Sequence, residues 1–171
     1  YGVSDAPEVT EQHPLVPLTD YNKYKGLSEP FLLRYQSPDF TTVIIRPATV
    51  CGYSPRMRLD LTVNILTNHA VSRGVITVFG GTQKRPNIHI DDITDLYARL
   101  LDLPAEKIQG RIYNAGAANH TVAEIARMVQ EAAGPHVGIS TTPTDDLRSY
   151  HISSEKIKLD LGFAPQRGVR D

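Results

Sequence analysis

The chain has 171 residues, 40% of them hydrophobic and 22% charged, and its formal net charge is −1. This length and composition favour one globular domain with its own core. The near-neutral charge argues against nucleic-acid binding, and no apolar run reaches the roughly 20 residues that a membrane helix needs. The single cysteine, Cys51, cannot form an internal disulfide, which suits a reducing, cytoplasmic setting.

The first predicted elements are a helix and a strand. After an opening loop punctuated by prolines, Thr19 or Asp20 caps a helix that extends to about residue 35, and Pro30 is expected to kink it. Residues 41–45 form a short, β-branched and nearly all-apolar run, which is typical of a strand buried on both faces of a parallel sheet.

Strands and helices continue to alternate toward the C-terminus. Asp91 or Asp92 is expected to cap a helix that ends before Pro104, and Thr121 with Glu124 predicts a capping box that opens a helix to about residue 133. This alternation predicts an α/β architecture with a largely parallel sheet. The other predicted elements are a loop over 47–57, a helix over 60–73, strands over 75–79, 87–90, 111–114 and 137–142, and a helix over 153–161 that stops at Gly162.

Tyr21 and Lys25 carry the clearest chemical signal. Spaced i and i+4 on the first predicted helix, the two side chains lie one above the other on the same face. A neighbouring ammonium favours the phenolate form of a tyrosine, and a phenolate can take a proton from a substrate hydroxyl. A solvated helix face produces the same spacing. The pair alone therefore leaves catalysis and surface structure both open.

Four sequence blocks place this pair in a wider pattern. Tyr1-Gly2 precedes Glu11, two prolines and the Tyr21-x-x-x-Lys25 helix. The other blocks are Arg46-Pro-Ala-Thr-Val-Cys-Gly52, Arg85-Pro-Asn-Ile-His-Ile-Asp-Asp92, and Asp146-Leu-Arg-Ser-Tyr150 with the Leu-Gly-Phe-x-Pro run that follows it. In order and in content, these blocks resemble the extended short-chain dehydrogenase/reductase family, in particular its NAD-dependent nucleotide-sugar epimerases and dehydratases.

The resemblance implies a fold and a division of the chain. The expected fold is part of a Rossmann-like, doubly wound parallel sheet with a small C-terminal α/β subdomain that binds substrate. Residues 1–52 would form the C-terminal part of the NAD-binding domain, and residues 53–171 would mainly bind the nucleotide-sugar. The segment over 75–102 would partly return to the Rossmann core.

The resemblance also implies roles for individual residues. Tyr21 would be the catalytic acid/base and Lys25 its partner, and both would meet the cofactor, NAD in preference to NADP, together with Pro47 and Ala48. The implied partners are a nucleoside-diphosphate sugar and, for the full-length protein, a second copy of the chain. Residues matched to substrate binding are Thr49, Asp60, Leu61, Thr77, Phe79, Arg85 and Asp146; no metal ligands are implied.

Departures from the family pattern limit what the resemblance implies. Thr49 stands where many members have Asn, and Cys51 where many have Tyr, so the particular sugar is left open. None of the 12 glycines forms a Gly-x-Gly-x-x-Gly arrangement, so the pyrophosphate cradle of a dinucleotide site is not in this sequence. We therefore expect this chain to be a portion of a larger protein. We also expect this portion not to bind NAD when it is expressed alone.

Three functions are compatible with these observations. The first is NAD-dependent epimerisation or dehydration of a nucleotide-sugar. The second is reduction of a non-sugar carbonyl, against which Arg85 and Phe79 argue because an apolar substrate needs neither a diphosphate clamp nor a shelf for a base. The third is a non-catalytic binding module derived from this fold. His89, in an apolar extended stretch, is interpreted as a hydrogen-bonded core histidine, and Cys51 as an unreactive loop residue.

Overall fold

The computed structural model describes residues 1–4, 6–145 and 149–171. The helices in these ranges are α1 (Asp20–Leu33), α2 (Thr62–Arg73), α3 (Ile90–Asp102), α4 (Ala105–Ile108), α5 (Val122–Ala133) and α6 (Glu155–Leu161). The strands are β1 (Val43–Pro47), β2 (Thr49–Cys51), β3 (Val75–Phe79), β4 (Lys84–His89), β5 (Arg111–Ala115), β6 (Ala118–Thr121) and β7 (Gly138–Thr142).

The strands pair into three small sheets that are mostly parallel. β1 lies parallel to β5, β2 parallel to β4, and β3 parallel to β7. Only β6 runs antiparallel, against β4, among the strands that are described. The predicted α/β architecture with a largely parallel sheet is therefore confirmed.

One hydrophobic core lies between the β1–β5 sheet and the helices α3 and α6. In α3, Ile93, Leu96 and Leu100 repeat at helical spacing and are all buried. They form one cluster with Tyr113 of β5 and Ile157 of α6, both of which are fully buried.

A second core lies between the β3–β7 sheet and the helices α2 and α5. Ile76 and Val78 of β3 are the buried residues of an alternating strand, as expected when one face of a sheet is covered. Leu66 of α2 and Ile125 and Val129 of α5 also belong to this cluster. The β2–β4–β6 sheet adds residues to both cores, because Ile88 belongs to the first and Cys51 to the second.

Local sequence signals fixed several helix ends. Thr19 caps α1 by accepting the N–H of Asn22 at 3.3 Å. The capping box before α5 is present in both directions, because Thr121 Oγ1 accepts the N–H of Glu124 at 3.2 Å and Glu124 Oε2 accepts the N–H of Thr121 at 2.7 Å. Gly162 ends α6 in the left-handed conformation. These predictions are confirmed.

The predicted cap of α3 is wrong. His89, and not Asp91 or Asp92, is the N-cap, and its Nδ1 accepts the N–H of Asp91 at 3.2 Å. The buried carboxylate of Asp92 instead accepts the backbone N–H groups of Gln166 and Arg167, at 2.9 and 3.0 Å. Asp92 therefore ties the C-terminal tail to α3, and His89 is a buried, hydrogen-bonded residue as interpreted.

Two further expectations need correction around β1. The strand is less buried than expected, because Ile44 is its one buried residue, and Val43 and Ile45 are half-buried where they pack against the first core. The loop expected over 47–57 contains β2, which is held by its parallel pairing with β4. Cys51 accordingly lies in a strand and is 3% exposed, and burial raises the pKa of its thiol to about 11.

Candidate functional site

A cavity of about 530 Å³ lies between α1 and β1. Tyr21 and Lys25 line it from the helix, and Pro47 and Ala48 line it from the end of β1. The structure thus brings together the four residues that the sequence linked to catalysis and cofactor. Tyr21 is 71% exposed, so its hydroxyl is open to a ligand.

α1 has an unusual environment for a helix that carries chemistry. None of its residues is buried, and apolar side chains such as Tyr24, Leu27 and Phe31 are more than half exposed. Within the described residues, therefore, the apolar burial of this helix is slight, although Leu15 lies against it at Gly26.

A polar network joins α1 to the β1–β5 sheet. Arg46 of β1 donates from Nε and Nη2 to the two carboxylate oxygens of Glu29, at 2.8 and 2.6 Å. Its Nη1 also donates to the Tyr1 hydroxyl at 2.7 Å, and that hydroxyl donates to Asn114 Oδ1 at 2.6 Å. Arg46 and Glu29 are each 14% exposed, which makes this pair largely buried.

Electrostatics in this network favour fixed protonation states. Burial opposes the charge on Arg46, but the hydrogen bonds with Glu29 and Tyr1 outweigh it, so the pKa of the guanidinium is raised. Burial also raises the pKa of the Tyr1 hydroxyl. Tyr1 therefore keeps its proton and can donate it to Asn114 while accepting from Arg46.

A second cavity, of about 330 Å³, lies between β3 and α2. Its lining includes all six described residues that the sequence matched to substrate binding: Thr49, Asp60, Leu61, Thr77, Phe79 and Arg85. Phe79 is 53% exposed and presents its ring, and the half-buried Arg85 adds a guanidinium to the lining. The seventh, Asp146, lies outside the described residues.

The two cavities are neighbours. Tyr150 lines both of them, and the consecutive residues Ala48 and Thr49 line one each. The α1–β1 cavity and the β3–α2 cavity therefore adjoin each other, with Tyr150 between them.

Comparison with known proteins identifies the family. Residues 1–116 match the model of the NAD dependent epimerase/dehydratase family. The chain belongs to this family. Its α/β structure matches the Rossmann-like fold of solved epimerases and dehydratases, so the predicted Rossmann-like architecture is confirmed.

Individual members of the epimerase/dehydratase family are distant in sequence. UDP-arabinose 4-epimerase 1 of Arabidopsis thaliana is 24% identical over 95% of this chain and 44% of its own. The UDP-glucuronic acid 4-epimerase of Bacillus cereus, solved with UDP-glucuronic acid and NAD, has a TM-score of 0.85 and 24% identity over 100% of this chain and 55% of its own. The UDP-glucose 4-epimerase of Thermus thermophilus, solved with NAD, has a TM-score of 0.81 and 26% identity over 99% and 58%. The chain spans about half the length of these relatives.

In this family member, the approach to α2 differs from the sequence expectation. The helix begins at Thr62 and not at residue 60, Leu61 is its N-cap without a side-chain hydrogen bond, and Asp60 precedes it. Arg58 donates to Asp60 Oδ1 at 3.0 Å. This hydrogen bond lowers the pKa of Asp60, so a carboxylate stands at this mouth of the cavity.

Sequence reasoning missed His69 as a cavity residue. Leu61, Ile65 and His69 follow one another at intervals of four, and all three line the β3–α2 cavity. His69 is 6% exposed, its Nδ1 has no hydrogen-bond partner among the described residues, and burial lowers its pKa. The signal was available, because the i+4 spacing from Leu61 marks the same helix face.

Two features are absent from the described ranges, a metal-binding cluster and a membrane-spanning helix. No group of three or more His, Cys, Asp or Glu side chains is arranged to hold a metal ion. No helix there is long and apolar enough to cross a membrane.

Proposed function

We propose that the intact protein is an NAD-dependent enzyme that epimerises or dehydrates a nucleoside-diphosphate sugar through transient oxidation of a sugar carbon. The carrying observation is the pair of adjoining cavities that share Tyr150, in a chain of the epimerase/dehydratase family. One cavity presents an acid/base pair and the other a guanidinium beside an aromatic ring.

Tyr21 is proposed as the acid/base that removes the proton from the sugar hydroxyl undergoing oxidation. Lys25, one turn further on the same face, would stabilise the phenolate and hold a ribose hydroxyl of the cofactor. The exposed position of Tyr21 on the cavity wall supports this role, because its hydroxyl is open to a ligand.

The residues at the α1–β1 cavity fit part of an NAD site. A phenol and an ammonium on one helix face oppose the end of β1, where Pro47 and Ala48 would approach the nicotinamide. When bound, NAD supplies the hydride acceptor and donor for the sugar carbon. The relatives solved with NAD support this cofactor.

The β3–α2 cavity is proposed to hold the nucleotide. Arg85 would pair with the diphosphate, because a guanidinium fork matches phosphate oxygens, and the Phe79 ring would stack on the base. Thr49 would contact the sugar, while Asp60, Leu61 and Thr77 would line the nucleotide and diphosphate. Asp146 is proposed to meet the ribose.

The organisation of the intact protein follows the same proposal. Residues 1–52 would form the C-terminal part of the NAD-binding domain, and residues 53–171 would mainly bind substrate. Within the second range, the segment over 75–102 would partly return to the NAD-binding domain. The places of Ile88, Ile93, Leu96 and Leu100 in the first core, beside Ala48, support this partial return. The exposed apolar side chains of α1 support a homodimer formed through this helix, and the free Cys51 supports a cytoplasmic setting.

The direct test uses the purified intact protein with NAD and a panel of UDP- and dTDP-hexoses. We expect one sugar to be converted, with the product identified by proton NMR as an epimer or as a dehydrated sugar. Lys25→Met should abolish most of this conversion. Failure of the wild type to convert any sugar, with no transient reduction of the nicotinamide, would refute the proposal.

A further inference from the structure

The catalytic face of α1 and the residue that holds it share one line along the helix. Tyr21, Lys25 and Glu29 are spaced by four residues, so their side chains fall within an arc of about 80°. All three line the α1–β1 cavity. Glu29 thus belongs to the same face as the proposed acid/base pair, one turn beyond Lys25.

Glu29 also attaches α1 to the β1–β5 sheet through Arg46. Among the described residues, the ion pair with Arg46 is the one that joins α1 to another element. Because its two hydrogen bonds are parallel and charge-assisted, the pair restricts rotation as well as distance. A single apolar contact would allow the helix to turn.

Arg46 is itself held from the other side. Tyr1 accepts from its Nη1 at 2.7 Å, and the Glu11 carbonyl accepts at 3.1 Å. The Tyr1 hydroxyl passes the constraint to Asn114, which is fully buried in β5 and also donates to the Val9 carbonyl at 3.1 Å. These hydrogen bonds therefore tie the orientation of α1 about its axis to the centre of the β1–β5 sheet.

We propose that the Glu29–Arg46 pair, fixed in turn by Tyr1 and Asn114, is a positioning device that sets the rotation of α1 and so holds Tyr21 and Lys25 over the reacting sugar carbon. This inference rests on the proposed function. It assigns no chemical step to Glu29 or Arg46, which act through Tyr21 and Lys25.

The geometry sets the size of the effect. A side-chain tip about 5–6 Å from the helix axis moves by about 2 Å when a helix turns by about 20°. Misplacing a catalytic group by about 1 Å lowers a rate by as much as about 100-fold. Loss of the pair should therefore reduce turnover strongly without removing any reacting group.

The test compares Glu29→Ala with Glu29→Asp in the intact protein, with Arg99→Met as the control. Arg99 belongs to an exposed ion pair with Asp95 on α3 and does not line either cavity. We expect Glu29→Ala to lower kcat by about 10–100-fold while KM for the nucleotide-sugar changes by less than about twofold, because the nucleotide is held by the β3–α2 cavity. Glu29→Asp, which keeps the charge, should recover part of the loss.

Hydrogen exchange supplies a readout that does not depend on activity. Amides of α1 should exchange faster in Glu29→Ala, while those of α3 stay unchanged. If α1 exchanges faster but kcat per folded molecule stays within about threefold of the wild type, the pair only stabilises the helix. That result would overturn the inference. Unchanged exchange in α1 would overturn it as well. A wild type that converts no sugar would instead refute the proposed function, and the positioning role with it.

Discussion

Replacing Tyr21 by Phe tests the catalytic assignment with little structural disturbance. The side chain is 71% exposed and no residue of α1 is buried, so deleting one hydroxyl should change the free energy of unfolding by less than about 0.5 kcal/mol. The lost group is the proposed acid/base, which contributes about 10²–10⁴ in rate. That range corresponds to about 2.7–5.4 kcal/mol of activation free energy.

Tyr24→Phe is a matched control on the same helix. Tyr24 is 69% exposed, almost as much as Tyr21, but it does not line the α1–β1 cavity. Turnover of the nucleotide-sugar, NAD affinity by calorimetry and urea unfolding should be measured for both variants. We expect Tyr21→Phe to lose turnover alone, and Tyr24→Phe to behave as the wild type. Equal turnover in the two variants, whether high or low, would contradict the assignment.

Substitutions at four other positions probe the second cavity and two glycines with positive φ. Arg85→Ala should weaken affinity for a nucleoside diphosphate by about 1.5–3 kcal/mol, since a charge-assisted bond is lost, and Arg85→Lys should recover part of this affinity. Calorimetry measures the affinities, and equal values for the variants and the wild type would show that another residue binds the diphosphate. Gly52→Ala should destabilise the fold by about 2 kcal/mol or more, because Gly52 has a φ of 102° and a Cβ there would lie 2.5 Å from His89 Nε2. Gly74→Ala, with a φ of 66° and no neighbour within 4 Å, should cost only about 1 kcal/mol in the same urea titration, so similar losses would discount the contact with His89. Burial lowers the pKa of His69, so the folded state binds its proton less readily and the free energy of unfolding should decline below about pH 6.5. Between about pH 7.5 and about pH 5, the decline in the free energy of unfolding should be smaller in His69→Phe than in the wild type. An identical decline would mean that His69 is not the group responsible.

Signals that depend on neighbours in sequence predicted this structure well. The capping box of Thr121 and Glu124, the N-cap at Thr19 and the glycine after α6 are all closed by atoms within four residues. Their physics is local, so the sequence contains what is needed. The same holds for the helix face that carries Tyr21 and Lys25.

Features set by distant partners could not be predicted in this way. β2 has three residues and exists because β4 lies beside it, which no pattern within 47–57 indicates. His89 replaced Asp92 as the cap of α3 because the Asp92 carboxylate is taken by backbone N–H groups more than 70 residues later in the chain. The partner of Arg46 was equally hard to predict, since Glu29 is 17 residues away on a helix that has no buried residue.

The pairing of β1 with β5 and of β3 with β7 has a consequence for synthesis on the ribosome. Val43 pairs with Arg111 in the first sheet, and Val75 pairs with Gly138 in the other. In the described part of the chain, therefore, neither pair is a hairpin that could close as it emerges. Contacts of such long range slow folding and leave strands unpaired while the chain is incomplete. Both cavities should consequently form late and together, so a ribosome stalled before Thr142 would expose the apolar strand β3 to chaperones.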